Sequence, residues 1–135
     1  MSRYNTNLAS EFYVLSVLHR LGADANLTLG NKKSVDIAVV KDAGESITVD
    51  VKGLAGKTGW PVDNVKTSVR NHYLVFVSYL GKISDPAVLP EVYVVPSDQV
   101  GKFTYHSPNG NRKVVPLSTL RKNAKKYKDA WHLIT

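Results

Sequence analysis

The sequence predicts a single α/β domain, and three observations carry that prediction. An amphipathic helical pattern opens the chain, runs of β-branched residues divided by turn chemistry fill its middle, and a second helical pattern closes it. A length of 135 residues suits one domain with a substantial core. With 43% hydrophobic and 21% charged residues, that core should form unaided, which excludes a disordered chain.

Residues 6–21 read as a helix, because Leu8, Phe12, Leu15 and Leu18 recur at spacings of three and four and Gly22 follows as a stop. Thr6 or Asn7 can cap its start. On a helical wheel the apolar arc runs from Leu21 through Leu18, Leu15 and Leu8 to Phe12, with Glu11 near its middle. An acid therefore points where the core should be.

Residues 25–29 follow as a strand, and 30–33 (Gly-Asn-Lys-Lys) have turn chemistry. The run 34–40, SVDIAVV, is apolar on both faces except for Asp36, as in a strand covered on both sides. Residues 41–45 make a hairpin loop leading into 46–53, SITVDVKG. Strand alternation puts Ile47, Val49 and Val51 on one face and Thr48, Asp50 and Lys52 on the other. If the loop is symmetric about Ala43, Asp36 lies across from Asp50 and Lys52 is one same-face step beyond. Carboxylates about 5 Å apart at Cβ repel unless a cation sits between them, so this register calls for a metal ion. A slip of one residue would put the two acids on opposite faces.

Residues 53–61, GLAGKTGWP, predict a mobile loop beside the acids, and 62–71 a short, poorly patterned helix. Residues 73–80 and 91–95 are buried strands, 104–113 a hairpin or long turn, and 118–129 a last helix capped by Ser118. Leu117, Leu120, Ala124 and Tyr127 share one side of it, and Arg121, Lys122, Lys125, Lys126 and Lys128 the other.

Eighteen lysines and arginines against 11 acids give a net charge of +7. Residues 112–135 hold seven of the cations and only Asp129 as an acid, so the basic surface is localised. That pattern fits a polyanion, nucleic acid before membrane when no apolar insertion face accompanies it; a merely solvated face fits as well. A second cationic set comprises Lys32, Lys33, Lys57 and Arg70. With no cysteine there is no disulfide, thiolate metal site or cysteine nucleophile, so a metal must be held by oxygen or histidine. The four histidines lack metal-ligand spacing, no serine sits in a nucleophile elbow, and residues 53–58 are too short for a phosphate-binding loop. Trp60 and Trp131 suit either base stacking or the core. The N-terminal residues lack an apolar signal core and no run could span a bilayer, so a cytoplasmic location and no membrane partner are expected.

A helix bearing an inward Glu11, a strand with Asp36, then Asp50-x-Lys52 on the next strand: this ordered set resembles the PD-(D/E)XK nuclease superfamily, which includes Holliday junction resolvases. The likeness covers about the first 100 residues in element order. Val35 stands at the nominal proline, and the second acid is aspartate rather than glutamate. The resemblance implies a restriction-endonuclease-like fold, a central mixed β-sheet flanked by helices. It also implies a Mg²⁺-dependent endonuclease acting on DNA, with Mn²⁺ as a substitute ion and RNA as another polyanion the surface would suit. Glu11, Asp36, Asp50 and Lys52 would be catalytic, and Asp36, Asp50 and the Val51 carbonyl would hold the metal. Lys32, Lys33, Lys57, Arg70, Arg121, Lys122, Lys125 and Lys126 would bind nucleic acid, and the small size suits a homodimer. Other readings fit as well: an inactive nucleic-acid-binding module of the same fold, an interaction protein with no nucleic-acid role and, for the acids and Lys52 themselves, a buried ion-pair network in which the lysine neutralises the acids.

Overall fold

A computed structural model describes residues 2–28, 36–42, 44–63, 65 and 69–135. In chain order the elements are α1 (Arg3–Arg20), β1 (Asp24–Leu27), β2 (Ile37–Val40), β3 (Ser46–Leu54), β4 (Gly59–Pro61), β5 (His72–Ser78), β6 (Glu91–Pro96), β7 (Tyr105–His106), β8 (Lys113–Pro116) and α2 (Leu117–Asn123). A five-stranded sheet has the order β1-β2-β3-β5-β6, and a three-stranded sheet the order β4-β8-β7. β3 pairs antiparallel with β2 and parallel with β5, so the central sheet is mixed, as expected. This is a restriction-endonuclease-like α/β architecture, with helices against a central sheet. No helix among the described residues is long and apolar enough to cross a membrane.

The β2–β3 register is the one that loop symmetry predicts, Ile37 opposite Val49 and Val39 opposite Ile47. β5 is buried from Leu74 to Ser78 because both faces of the sheet are covered. On one face Val14 and Leu18 of α1 pack with Val49, Val51, Val75 and Val77. On the other, Trp60, Val115, Leu117 and Leu120 pack with Leu74, Phe76 and Val95.

Several expectations are corrected. α1 begins at Arg3, capped by the Ser2 hydroxyl, which accepts from the Asn5 N–H, rather than by Thr6 or Asn7. Its fully buried stripe is Thr6, Ser10, Val14 and Leu18, while Phe12 is 54% exposed. The cause is close approach to the sheet: a Cβ at Gly53 would lie 2.3 Å from Ser10 Oγ and 3.0 Å from the Thr6 carbonyl. Only small residues fit there, and the Ser10 hydroxyl is satisfied by donating to the Thr6 carbonyl at 2.7 Å. Glu11 consequently lies beside the buried stripe, not at its centre.

The loop expected at 53–61 is partly strand. β3 runs on to Leu54, and β4 brings Trp60 into the core, where its indole N–H donates to the Val77 carbonyl at 3.2 Å. No helix forms among the described residues of 62–71; the chain turns into β5 through Asn71 at φ 56°. The last helix is also shorter. α2 follows Pro116 without a side-chain cap from Ser118 and ends at Ala124, and Lys125–Tyr127 form a 3-10 turn. The helix stops because the chain then docks on β6: Lys128 bridges Tyr93, and the Asp129 N–H donates to the Val92 carbonyl at 3.0 Å.

Candidate active site

The β2–β3 ladder ends at Ile37–Val49, while β3 continues to Leu54 paired only with β5 on its other side. From Asp50 onward no strand among the described residues pairs with the β2-facing edge of β3. The N–H and C=O of a strand residue point to the same side. Asp36, just before β2, donates its own N–H to the Val49 carbonyl at 2.8 Å, and its Oδ2 accepts the Val51 N–H at 2.7 Å. The Asp36 carboxyl thus caps the Val51 N–H, on the side of the strand to which the Val51 carbonyl also points.

Asp50 projects from the opposite pleat and is 3% exposed. Burial pushes its carboxyl up to about 7; Lys52 opposes the rise, while repulsion from Asp36 adds to it. Asp50 Oδ2 is buried and has no hydrogen-bond partner among the described residues. Lys52 Nζ stands 3.7 Å from it, an ion-pair distance too long for a hydrogen bond. Glu11, half-buried on α1, has its carboxyl raised first by burial and then by Asp36, which places it on the flank of the same cluster. The fold therefore brings Glu11, Asp36, Asp50 and Lys52 together.

The donors suit a hard divalent cation. The Asp36 and Asp50 carboxylates lie against each other beside the Val51 main chain, all of them oxygen ligands, and one Asp50 oxygen is buried without a hydrogen-bond partner among the described residues. Among the described residues no group of three or more His, Cys, Asp and Glu side chains is arranged to hold a metal, so Glu11 does not complete a three-acid cage. Any ion held here rests on Asp36, Asp50 and the main chain.

The expected nucleic-acid residues that are described stand on several different elements. Lys32 and Lys33 lie outside the described residues. Lys57 follows β3 and Arg70 precedes β5; because these strands run parallel over seven paired residues, the two cations lie off opposite ends, roughly 20 Å apart along the strands. Arg121 is committed: it holds Glu91 through Nε at 3.0 Å and an Nη at 2.8 Å, and Glu91 also accepts from the Tyr93 hydroxyl at 2.7 Å. That guanidinium, above all, keeps the Glu91 carboxyl below the ordinary range. Arg112 pairs likewise with Asp63. Lys122, Lys125 and Lys126 remain exposed, Lys126 with its ammonium 5.1 Å from the Tyr127 ring centre.

Two features near the site escape sequence reasoning. The second sheet that walls it is built from the three-residue β4 and a distant hairpin, too short for periodicity to register. Arg3, in the first turn of α1, lines a cleft shared with Lys52. The glycine following Lys52 was the available signal that another backbone comes close.

No protein-family model matches the sequence, and no curated protein is significantly similar to it. Among solved structures, the chain is similar to a bacterial homing endonuclease, at 16% identity and a TM-score of 0.57, over 98% of this chain and 92% of that one. At that identity the likeness establishes the fold.

Proposed function

We propose that the chain is a PD-(D/E)XK-type nuclease that hydrolyses DNA phosphodiester bonds with Mg²⁺, Mn²⁺ serving as a substitute. One observation carries the reading: in a restriction-endonuclease-like fold, a buried Asp50 oxygen that accepts no hydrogen bond among the described residues sits against both Asp36 and the Lys52 ammonium. Asp36, Asp50 and the Val51 carbonyl would hold the ion, which when bound neutralises charge on the phosphodiester and polarises a water. Lys52 is kept in place by Asp50 and faces the adjoining cleft, where its ammonium can meet the negative charge that grows on phosphate oxygens. Glu11 grips a proton more tightly than a free glutamate and borders the ion site. The structural likeness to a homing endonuclease supports the same class.

A second reading, a nucleic-acid-binding module that does not cut, is favoured because Glu11 stands on the flank of the cluster and no three acids or histidines among the described residues are arranged to hold a metal. Incubation with linear, nicked and branched DNA in Mg²⁺ or Mn²⁺ separates the two. The nuclease reading expects cutting of at least one substrate, lost in Asp50→Ala; the alternative expects bound but intact DNA under both ions.

A further inference from the structure

A cleft of about 530 Å³ opens where the first turns of α1 meet the end of β3 and the strand β4. That volume lies within the roughly 300–1,000 Å³ usual for small-ligand sites. Arg3, Asn7, Lys52 and Asp63 give its polar lining, and Leu54 and Pro61 are among its apolar walls. Asp63 brings little free negative charge, since Arg112 Nε is 3.2 Å from its Oδ2 and the Lys113 N–H donates to its Oδ1 at 2.7 Å. Arg3 and Lys52 therefore set the sign of the cleft.

Arg3 is exposed and makes no ion pair among the described residues. It stands in the first turn of α1, where a cation opposes the helix dipole and where no acid offsets it. Helix stability gives no reason for an arginine there. Asn7, also exposed, is one turn further along and so on the same side of the helix.

Resting on the nuclease reading above, we infer that this cleft seats the stretch of DNA strand next to the phosphate that is cut. Lys52 joins the cleft to the acids, so a strand lying in it runs directly past the ion site. Arg3 grips the neighbouring phosphate through its planar fork, and Asn7 hydrogen-bonds the adjoining sugar–phosphate. Leu54 and Pro61 offer the apolar surface against which a deoxyribose rests. Arg3 is a positioning residue, remote from the ion but fixing the strand's register across it.

The test is fluorescence anisotropy of a labelled duplex across a salt series with Ca²⁺ in place of Mg²⁺, together with steady-state cleavage in Mg²⁺. Arg3→Ala should weaken binding about tenfold, the worth of one charge-assisted hydrogen bond to phosphate, and flatten the salt slope by about 0.9. KM should rise more than kcat falls, and the thermal midpoint should not drop. Arg3→Lys should restore the slope but not the full affinity. Unchanged affinity and slope for Arg3→Ala, in a protein whose wild type cuts DNA, would overturn the cleft and leave the nuclease reading standing. A fall in thermal midpoint that tracks the affinity loss would also overturn it, as a structural role. If the wild type binds DNA but cuts under neither ion, and Arg3→Ala still loses affinity and slope, the cleft stands and the nuclease reading falls.

Discussion

Replacing Asp50 by asparagine should make the ion-free protein more stable at neutral pH. In the unfolded chain this carboxyl ionises near pH 4, whereas in the fold burial holds the proton until about pH 7. Between those values the folded state binds the extra proton, so wild-type stability falls as pH rises from about 4 to about 7 and is level above. Asparagine has no such titration. The span from 3.8 to about 7, at about 1.4 kcal/mol per pH unit, sets a ceiling of about 4 kcal/mol on the difference. That rise already includes the opposing pull of Lys52, and because the lysine side chain is 28% exposed it keeps water when its partner is neutralised. The expected gain at pH 8 is about 2–4 kcal/mol, or about 6–14 °C in thermal midpoint for a domain of this size. Urea and thermal unfolding in EDTA, from pH 4 to pH 8, would measure it. The two proteins should coincide near pH 4 and separate by pH 7. An asparagine variant less stable than wild type at pH 8 would instead identify Asp50 as the ionised partner in a structural network with Lys52 and rule out a burial-dominated carboxyl.

Gly53→Ala should destabilise the fold by about 1–3 kcal/mol, because the added methyl meets the Thr6 carbonyl and the Ser10 side chain; Ser10→Ala in the same chain should recover part of the loss in urea unfolding. Lys122→Ala with Lys125→Ala should weaken binding to all duplex sequences alike and flatten the salt slope by about 0.9 for each phosphate left without its lysine; an unchanged slope would make these lysines solvated surface only. Arg121→Ala should lower the thermal midpoint and leave the salt slope as it was, since its guanidinium is spent on Glu91.

The juxtaposition of Asp36, Asp50 and Lys52 was legible in the sequence because it depends on parity. A five-residue loop fixes the β2–β3 register, register fixes which face Asp50 and Lys52 share, and the helix before β1 had few places to send Glu11. The helix face was misjudged because hydrophobicity alone ranked Phe12 above Ser10, whereas the glycine in β3 draws the backbones together and favours small residues where they meet. Trp60 was hidden in a segment whose three glycines suggest a loop, yet Gly59 is what lets β4 lie close to β8. The C-terminal charge was countable but not assignable, since only folding brings Glu91 to Arg121 and Asp63 to Arg112, turning two of the cations into structural partners.

Titrating Mn²⁺ into the protein at pH 8 by calorimetry, beside Asp36→Asn and Asp50→Asn, tests most directly whether these acids form an ion site. One ion per chain is expected in the wild type, with binding lost in each variant while both remain folded. A wild type that takes up no ion, or variants that bind as the wild type does, would contradict it.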